Sequence, residues 1–324
     1  MLERVHRFLH RNPPAAPGVV LLVAAAVFGV LAGDRFFQPF NLSLVLQQVT
    51  IIGLLGVAQT LIILTAGIDL SVGAIMVLSS VVMGRLAVDF GWPPGIALAV
   101  GLIVGATCGA LNGAVVTRFR LPPFIVTLGT WNIFLALNLW YSRSQTIRAQ
   151  DIEARAPLLQ WTGRSMELFG ARLTVGALLM IALFAVAWYA LNWTAWGKHV
   201  YATGDDPNAA RLAGIRTARV LVSVYLGGGV ICALAGWTLI GRIGSVSPQA
   251  GMTANLDSIT AVVIGGTSLF GGRGSVVGTL LGALIVGVLR NGLALSGVEV
   301  LWQEFAVGLL IIVAVALDQW IRRI

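Results

Sequence analysis

The chain reads as a series of long apolar runs separated by short polar links. It shows neither the one-sided stripe of a soluble helix nor the alternation of half-buried strands. About 20 helical residues cross the hydrocarbon core of a bilayer. Ten segments meet or approach that length: 17–33, 42–66, 71–90, 95–117, 122–142, 173–193, 218–241, 257–270, 275–296 and 303–321. The eighth is short and reads as a half-helix or a broken one, which leaves eight or nine crossings open. Solid runs of this kind argue against a β-barrel, whose strands are short and alternating. The pattern therefore predicts an all-α membrane protein, a polytopic helical bundle of about ten transmembrane segments, with residues 1–324 forming a single transmembrane domain.

Composition sharpens this. Of 324 residues, 57% are hydrophobic and 10% charged, and mean hydropathy is +0.89. Soluble domains carry about 25% charged residues, so a soluble enzyme, a nucleic-acid binder and a disordered scaffold are all disfavoured. The net charge of +8 does not revive nucleic acid, because no block of five or more Lys or Arg exists. Basic residues instead orient the spans, since cytoplasmic loops are enriched in Lys and Arg. Arg4, Arg7 and Arg11 place the N-terminus inside. The even-numbered connections then hold Arg118 and Arg120, then Lys198, Arg211, Arg216 and Arg219, then Arg273, and the C-terminus adds Arg322 and Arg323. Both termini are expected in the cytoplasm. Val30-Leu31-Ala32 before Gly33 resembles a signal-peptidase site, but a retained first helix gives the consistent topology. Cys108 and Cys232 lie in apolar runs and read as packing residues.

Three connections stand out. Ser142–Arg172 is the longest polar stretch, of mixed charge, and reads as a solvated external loop or a docking surface for an external partner. Thr194–Arg219 contains Gly204-Asp205-Asp206-Pro207-Asn208-Ala209-Ala210-Arg211-Leu212-Ala213-Gly214-Ile215. Asp206 or Asp205 can cap a helix of about two turns, with Pro207 in its first turn and Gly214 ending it. Its small apolar face suits a groove on another protein. The third feature is a pair of Gly-rich turns, Gly67–Gly73 and Gly265–Gly278, each running from Gly through Ser-Val to Gly. Their spacing fits a diverged internal duplication.

Catalytic machinery is not evident. A P-loop needs Gly-x4-Gly-Lys followed by Ser or Thr, and the only lysine is Lys198. No catalytic residue, cofactor or metal site is expected. Inside the spans the polar residues are mainly neutral: Gln59 in segment two, Asn112 in segment four, and Thr127, Trp131, Asn132 and Asn138 in segment five, the richest. Such amides glue helices together or line a path. As a set they suit a neutral, hydroxyl-rich solute, because amides both donate and accept and an indole packs on a sugar ring. Segment five is the best candidate for a path-lining helix. Asp69, Asp257, Arg290, Glu299, Glu304 and Asp318 all fall at or near segment ends. The lack of a carboxylate near the midplane argues against proton or sodium coupling. Asp69 is expected to cap a helix starting at Leu70 or Ser71, or to serve as a gate or solute contact.

Three stretches together resemble the ribose-type (monosaccharide) permeases of bacterial ABC transporters. They are Thr60–Gly73 (TLIILTAGIDLSVG), Ala202–Ile215 (ATGDDPNAARLAGI), and Leu256–Leu269 (LDSITAVVIGGTSL) continuing to Gly278. The region Thr127–Gln150 is most similar to fructose and ribose-like members. The resemblance implies an inner-membrane subunit for monosaccharide import, with no covalent chemistry of its own. It implies a second permease subunit as a homodimer, a cytoplasmic ATP-binding subunit and a periplasmic sugar-binding protein. It also implies that Gly204, Asp205, Asp206, Asn208, Ala209, Ala210, Arg211 and Gly214 belong to the segment that docks on the ATPase. Gln59, Asp69, Asn112, Thr127, Trp131, Asn132 and Asn138 are the expected path or gate residues. An ion-coupled secondary transporter or a facilitative channel is the rival reading. Membrane lipid is the expected surrounding, and no nucleic acid is.

Overall fold

A computed structural model describes residues 15–168, 170–251 and 253–323 of the chain. Arg4, Arg7 and Arg11, on which the sequence-based orientation rests, lie outside the described residues, as do His6 and His10 and the side chains of Asp318, Arg322 and Arg323.

Helices α1 (Ala15–Ala32), α2 (Pro39–Leu64), α3 (Val72–Gly84), α4 (Pro94–Phe119), α5 (Pro123–Ser142), α7 (Val175–Trp193), α10 (Thr217–Ile243) and α12 (Val276–Leu295) account for eight spans long and apolar enough to cross a membrane; α3 runs on through a π-helical turn to Asp89 to reach that length. Two shorter apolar helices complete the series. The eighth expected segment is α11 (Ala254–Ile264), only 11 residues, followed by the second Gly-rich turn. The tenth lies in α13 (Val300–Arg323), whose described apolar part is Val300–Leu310. The half-helix reading of segment eight is thus the one realised.

Local chemistry sets the starts and stops. Pro39, Pro94 and Pro123 open α2, α4 and α5. A proline lacks the N–H that the first helical position leaves unpaired anyway, and its φ is already helical. Arg120, Arg143 and Gly244 end α4, α5 and α10 in left-handed conformation.

Every residue of α2 from Val49 to Leu64 is buried, and so is all of α3 except Val82. A helix apolar on all sides belongs at the centre of a bundle. Around this pair stand α4, α10, α11 and α12, with α1 on the outer side of α12, where Phe28 packs under Gly292. The tightest pairing is between α4 and α10. A Cβ on Gly105 would strike the Gly229 carbonyl, one on Gly109 the Tyr225 carbonyl, and one on Gly113 the Val222 backbone. Gly105-Gly109-Gly113 is therefore a contact stripe against α10, while Gly101 meets Met83 and Ser79 of α3. Without hydrophobic drive between helices in lipid, such close backbone approach supplies the packing.

The stretch Ser142–Arg172 is not a plain loop. It folds into α6 (Ala149–Arg155), a 3₁₀ segment (Pro157–Gly163) and a hairpin of β1 (Ser165–Leu168) with β2 (Ala171–Thr174). Ile152, Ala156 and Leu159 are fully buried beneath it. Ile147 bridges to Val246, Trp161 stacks on Trp237 with centroids 5.9 Å apart, and Arg172 N donates to Ser43 Oγ at 2.7 Å. Those apolar residues, spaced among charges, give the stretch a small core of its own. That is why charge alone reads it as loop.

Gly109→Leu forces α4 and α10 apart. Overpacking costs about 1–3 kcal/mol and occasionally more, so the variant is expected to lose its monodisperse detergent-solubilised peak and melt earlier. Gly227→Leu, in α10 but facing open space, is expected to behave as wild type in the same gel-filtration and thermal assays.

Candidate functional site

The break between α2 and α3, Thr65–Ser71, sits inside the bundle. Its backbone leaves α2 through Ala66 in left-handed conformation (φ 60°). Irregular backbone in a membrane protein must find internal partners, because lipid offers none. Here three consecutive carbonyls are each met by a side chain from a different helix. Ile68 O accepts from Thr127 Oγ1 of α5 (3.0 Å), Asp69 O from Gln59 Nε2 of α2, and Leu70 O from Asn255 Nδ2 of α11 (3.2 Å). Thr127 Oγ1 also accepts from Leu70 N at 3.2 Å.

Asp69 is 2% exposed. Its Oδ1 accepts from Ser71 N (2.7 Å) and Ser71 Oγ (2.6 Å), and its Oδ2 from Asn112 Nδ2 of α4 (3.4 Å). Asn112 Nδ2 also donates to Ser71 Oγ at 2.8 Å. No described cation lies within ion-pair distance of it. The expected helix cap is thus displaced. α3 begins at Val72 with Ser71 as its N-cap, and Asp69 closes a turn on Ser71 two residues ahead instead of bonding the first helical N–H groups. Asp69 and Asp257 do lie at helix ends, as expected, but a helix end is not always a surface. Asp69 is buried and so is Asp257, which pairs with Arg290 at 2.8 Å. A missing buried carboxylate therefore gives no argument against ion coupling.

Gln59, Asp69, Asn112 and Thr127 come together at this turn. Ser71 and Asn255 belong with them, and the linear sequence did not single them out. Asn255 lies just ahead of the apolar run 257–270, where it looks like a loop residue. Around the turn Gln59 Oε1, Asn112 Oδ1, Asn255 Oδ1 and the Tyr225 hydroxyl are buried with no partner among the described residues. The other three expected path residues lie elsewhere on α5. Asn138 Nδ2 donates to Pro248 O (2.8 Å), Trp131 is half-buried against the core, and Asn132 is on the exposed face, bonded only to Leu128 O of its own helix. On the other side of the bundle a polar cavity of about 140 Å³ lies under the hairpin, lined by Gln47, Thr50, Thr238, Arg172 and Arg242 among others.

The second Gly-rich turn lies directly against the first. Gly272 N donates to Leu64 O at 3.0 Å, and Gly271 abuts the Ala66 backbone. Gly271 and Gly272 have φ of 83° and 70°, and any side chain at either would meet backbone. Into the same nest goes α8 (Ala195–Asp205). Gly204 packs on Leu64 O and Gly272 N, and Tyr201 Oη donates to Gly274 O at 2.9 Å. Asp206 then caps α9 (Pro207–Leu212), its Oδ1 accepting from Asn208 N and Ala209 N. Gly214 (φ 84°) closes the far end. Asp205, Asp206, Asn208, Ala209, Arg211 and Gly214 are exposed, and Leu212 is 92% exposed. Gly204 and Ala210 differ from them, since both pack inward on their own chain. They seat the segment and present no surface to a partner.

Residues 41–315 match the family model described as branched-chain amino acid transport system / permease component. The chain is 57% identical to the fructose import permease protein FrcC of Rhizobium meliloti, over all of this chain and 90% of that one. It is 39% identical to the ribose import permease protein RbsC of Bacillus subtilis, over 94% of this chain and 92% of that one. Against the same-named protein of Escherichia coli K12 identity is 38%, covering 93% and 92%. No solved structure matches.

Removing one donor from the clamp leaves a buried carbonyl unpaired, which costs about 1–3 kcal/mol. Thr127→Val, Gln59→Leu and Asn255→Leu are each expected to lower thermal stability in detergent by that amount. Asp69→Leu is expected to lower it more, since it strands Ser71 N and removes the acceptor of Ser71 Oγ together.

Proposed function

The chain belongs to the branched-chain amino acid transport system permease family, and from that premise we propose that it is the membrane-spanning subunit of a binding-protein-dependent ABC importer for a monosaccharide. Fructose is the first sugar to test and ribose the second, by similarity to the relatives so named. The subunit carries no catalytic residue, and ATP is hydrolysed on a cytoplasmic partner. A periplasmic binding protein delivers the sugar. Two copies of the chain form the transporter in the inner membrane, with both termini in the cytoplasm and the sugar path between the copies. The exposed face of α5, with Asn132 at its middle, faces that path.

The observation that carries this reading is the seat of α8 and α9. Their exposed side offers Asp205, Asn208, Arg211 and Leu212 to a partner, and their inward side touches the end of α2 one turn from Asp69. A push on α9 thus reaches the clamped turn through Gly204, Leu64 and Gly272 with no gap between. The four unpaired polar atoms at the turn are the groups that a second arrangement would satisfy, which suits a switch between outward- and inward-facing states.

Reconstitution with the ATP-binding subunit and the binding protein is expected to give ATP-dependent sugar uptake that an uncoupler leaves intact. Uptake without the ATP-binding subunit, or uptake abolished by an uncoupler while ATP is held constant, overturns the reading in favour of ion coupling. Leu212→Asp is expected to leave insertion and melting unchanged while reducing co-purified ATP-binding subunit roughly tenfold or more, as for an interface anchor. Gly204→Leu is expected to fail differently, by lowering the melting temperature of the isolated permease.

A further inference from the structure

The corner between α7, α8 and α10 holds a cluster of cations that the transport reading leaves unused. An open cavity of about 340 Å³ there is lined by His199, Ala213, Gly214, Ile215, Arg216, Arg219 and Val220. Arg216, Arg219 and His199 are exposed, and none has an acceptor or counter-ion among the described residues. The acids nearest in sequence are occupied elsewhere, with Asp206 capping α9 and Asp205 lying against Gly272. Two guanidiniums beside one cavity repel each other unless an anion sits between them, and guanidinium forks match phosphate oxygens in geometry.

The surroundings identify the depth. The last turns of α7 expose Trp188 (44%), Tyr189 (60%) and Trp193 (69%). Tryptophan and tyrosine concentrate where the bilayer meets water, with rings at headgroup level. The chain then turns sharply, with Thr194 capping α8, and α8 lies with Gly197, Val200, Thr203 and Gly204 inward and Lys198 and His199 outward. Trp196 Nε1 donates to Ser223 Oγ at 2.8 Å, which pins α8 to α10 beside the cavity. Seven residues along α10 from Arg219, on the same outer face, Leu226 is exposed, with Gly227 beside it open to its surroundings. The cations thus stand two turns along α10 from exposed apolar surface at Leu226. That is the outline of an amphiphile with a phosphate head.

We propose that this cavity binds the anionic headgroup of a phospholipid in the leaflet at which α7 ends, its acyl chains running along the outer face of α10. Arg216 and Arg219 hold the phosphate and His199 closes the third side. Bound lipid ties α10 to the α8–α9 segment, since the cavity takes residues from both.

The test uses the full-length chain purified in mild detergent, with lipid retention read by native mass spectrometry. Phosphatidylglycerol is expected to be retained over phosphatidylcholine of the same acyl chains. Arg216→Gln/Arg219→Gln is expected to lower that preference roughly tenfold or more, each arginine near a headgroup contributing on this scale. The Lys/Lys pair at the same positions is expected to restore most of it while all three proteins melt alike. Equal retention of the two lipids overturns the proposal. So does displacement of phosphatidylglycerol by inorganic phosphate at matched concentration, which marks a site for a soluble anion. Loss of ATP-binding subunit from the Gln/Gln variant with an unchanged lipid preference also overturns it, and assigns the cations to the protein partner.

Discussion

The constraint on which this structure turns is that backbone buried in the protein cannot bond to solvent. Between α2 and α3 the chain breaks helix within the bundle, and Ile68, Asp69 and Leu70 would present three bare carbonyls. Thr127, Gln59 and Asn255 meet them one each, from three different helices. Those donors must converge, so α5, α2 and α11 are fixed around the turn. Asp69 adds α4 by way of Asn112. The polar residues that look like the lining of a sugar path are thus, in this state, first the fasteners of a broken helix.

Close packing serves the same end. Glycine at Gly105 and Gly109 lets α4 lie against α10 with backbone touching backbone, which holds Asn112, only one turn further along α4, at Asp69. The two Gly-rich turns nest for a similar reason, since Gly271 and Gly272 combine positive φ with a space too small for a side chain. Through Gly204 the same nest receives the α8–α9 segment, whose far side is exposed. The contact from the α8–α9 segment to the clamped turn is therefore short and runs through backbone, which deforms little.

Several features were legible along the chain. The end signals around Pro207 and Gly214 describe α9 well, because a capping carboxylate, a first-turn proline and a terminal glycine act locally. The four-residue glycine repeat marked the α4 face that is in close contact. The short apolar run 257–270 already suggested an incomplete crossing. Other features were not legible. Ser142–Arg172 hides a helix and a hairpin, since its buried Ile152, Ala156 and Leu159 are scattered among charges. Asn255 passed unnoticed beyond the edge of a span. Asp69 read as a helix cap or a gate, and its burial was not legible, because proximity to a predicted helix end says nothing about depth.

What the sequence determined by itself is everything that follows from solvent and from local stereochemistry. Runs of apolar residues must lie in lipid, glycines mark close approach, and caps set helix ends. What only the tertiary structure decided is which neutral side chains meet. Gln59, Asn112, Thr127 and Asn255 converge on one turn while Asn132 faces outward and Asn138 holds a different loop. The physical reason is that an amide in a span carries the same helical signal whichever way it points. Its partner is fixed by helices that come from distant parts of the chain, and no local pattern records their crossing.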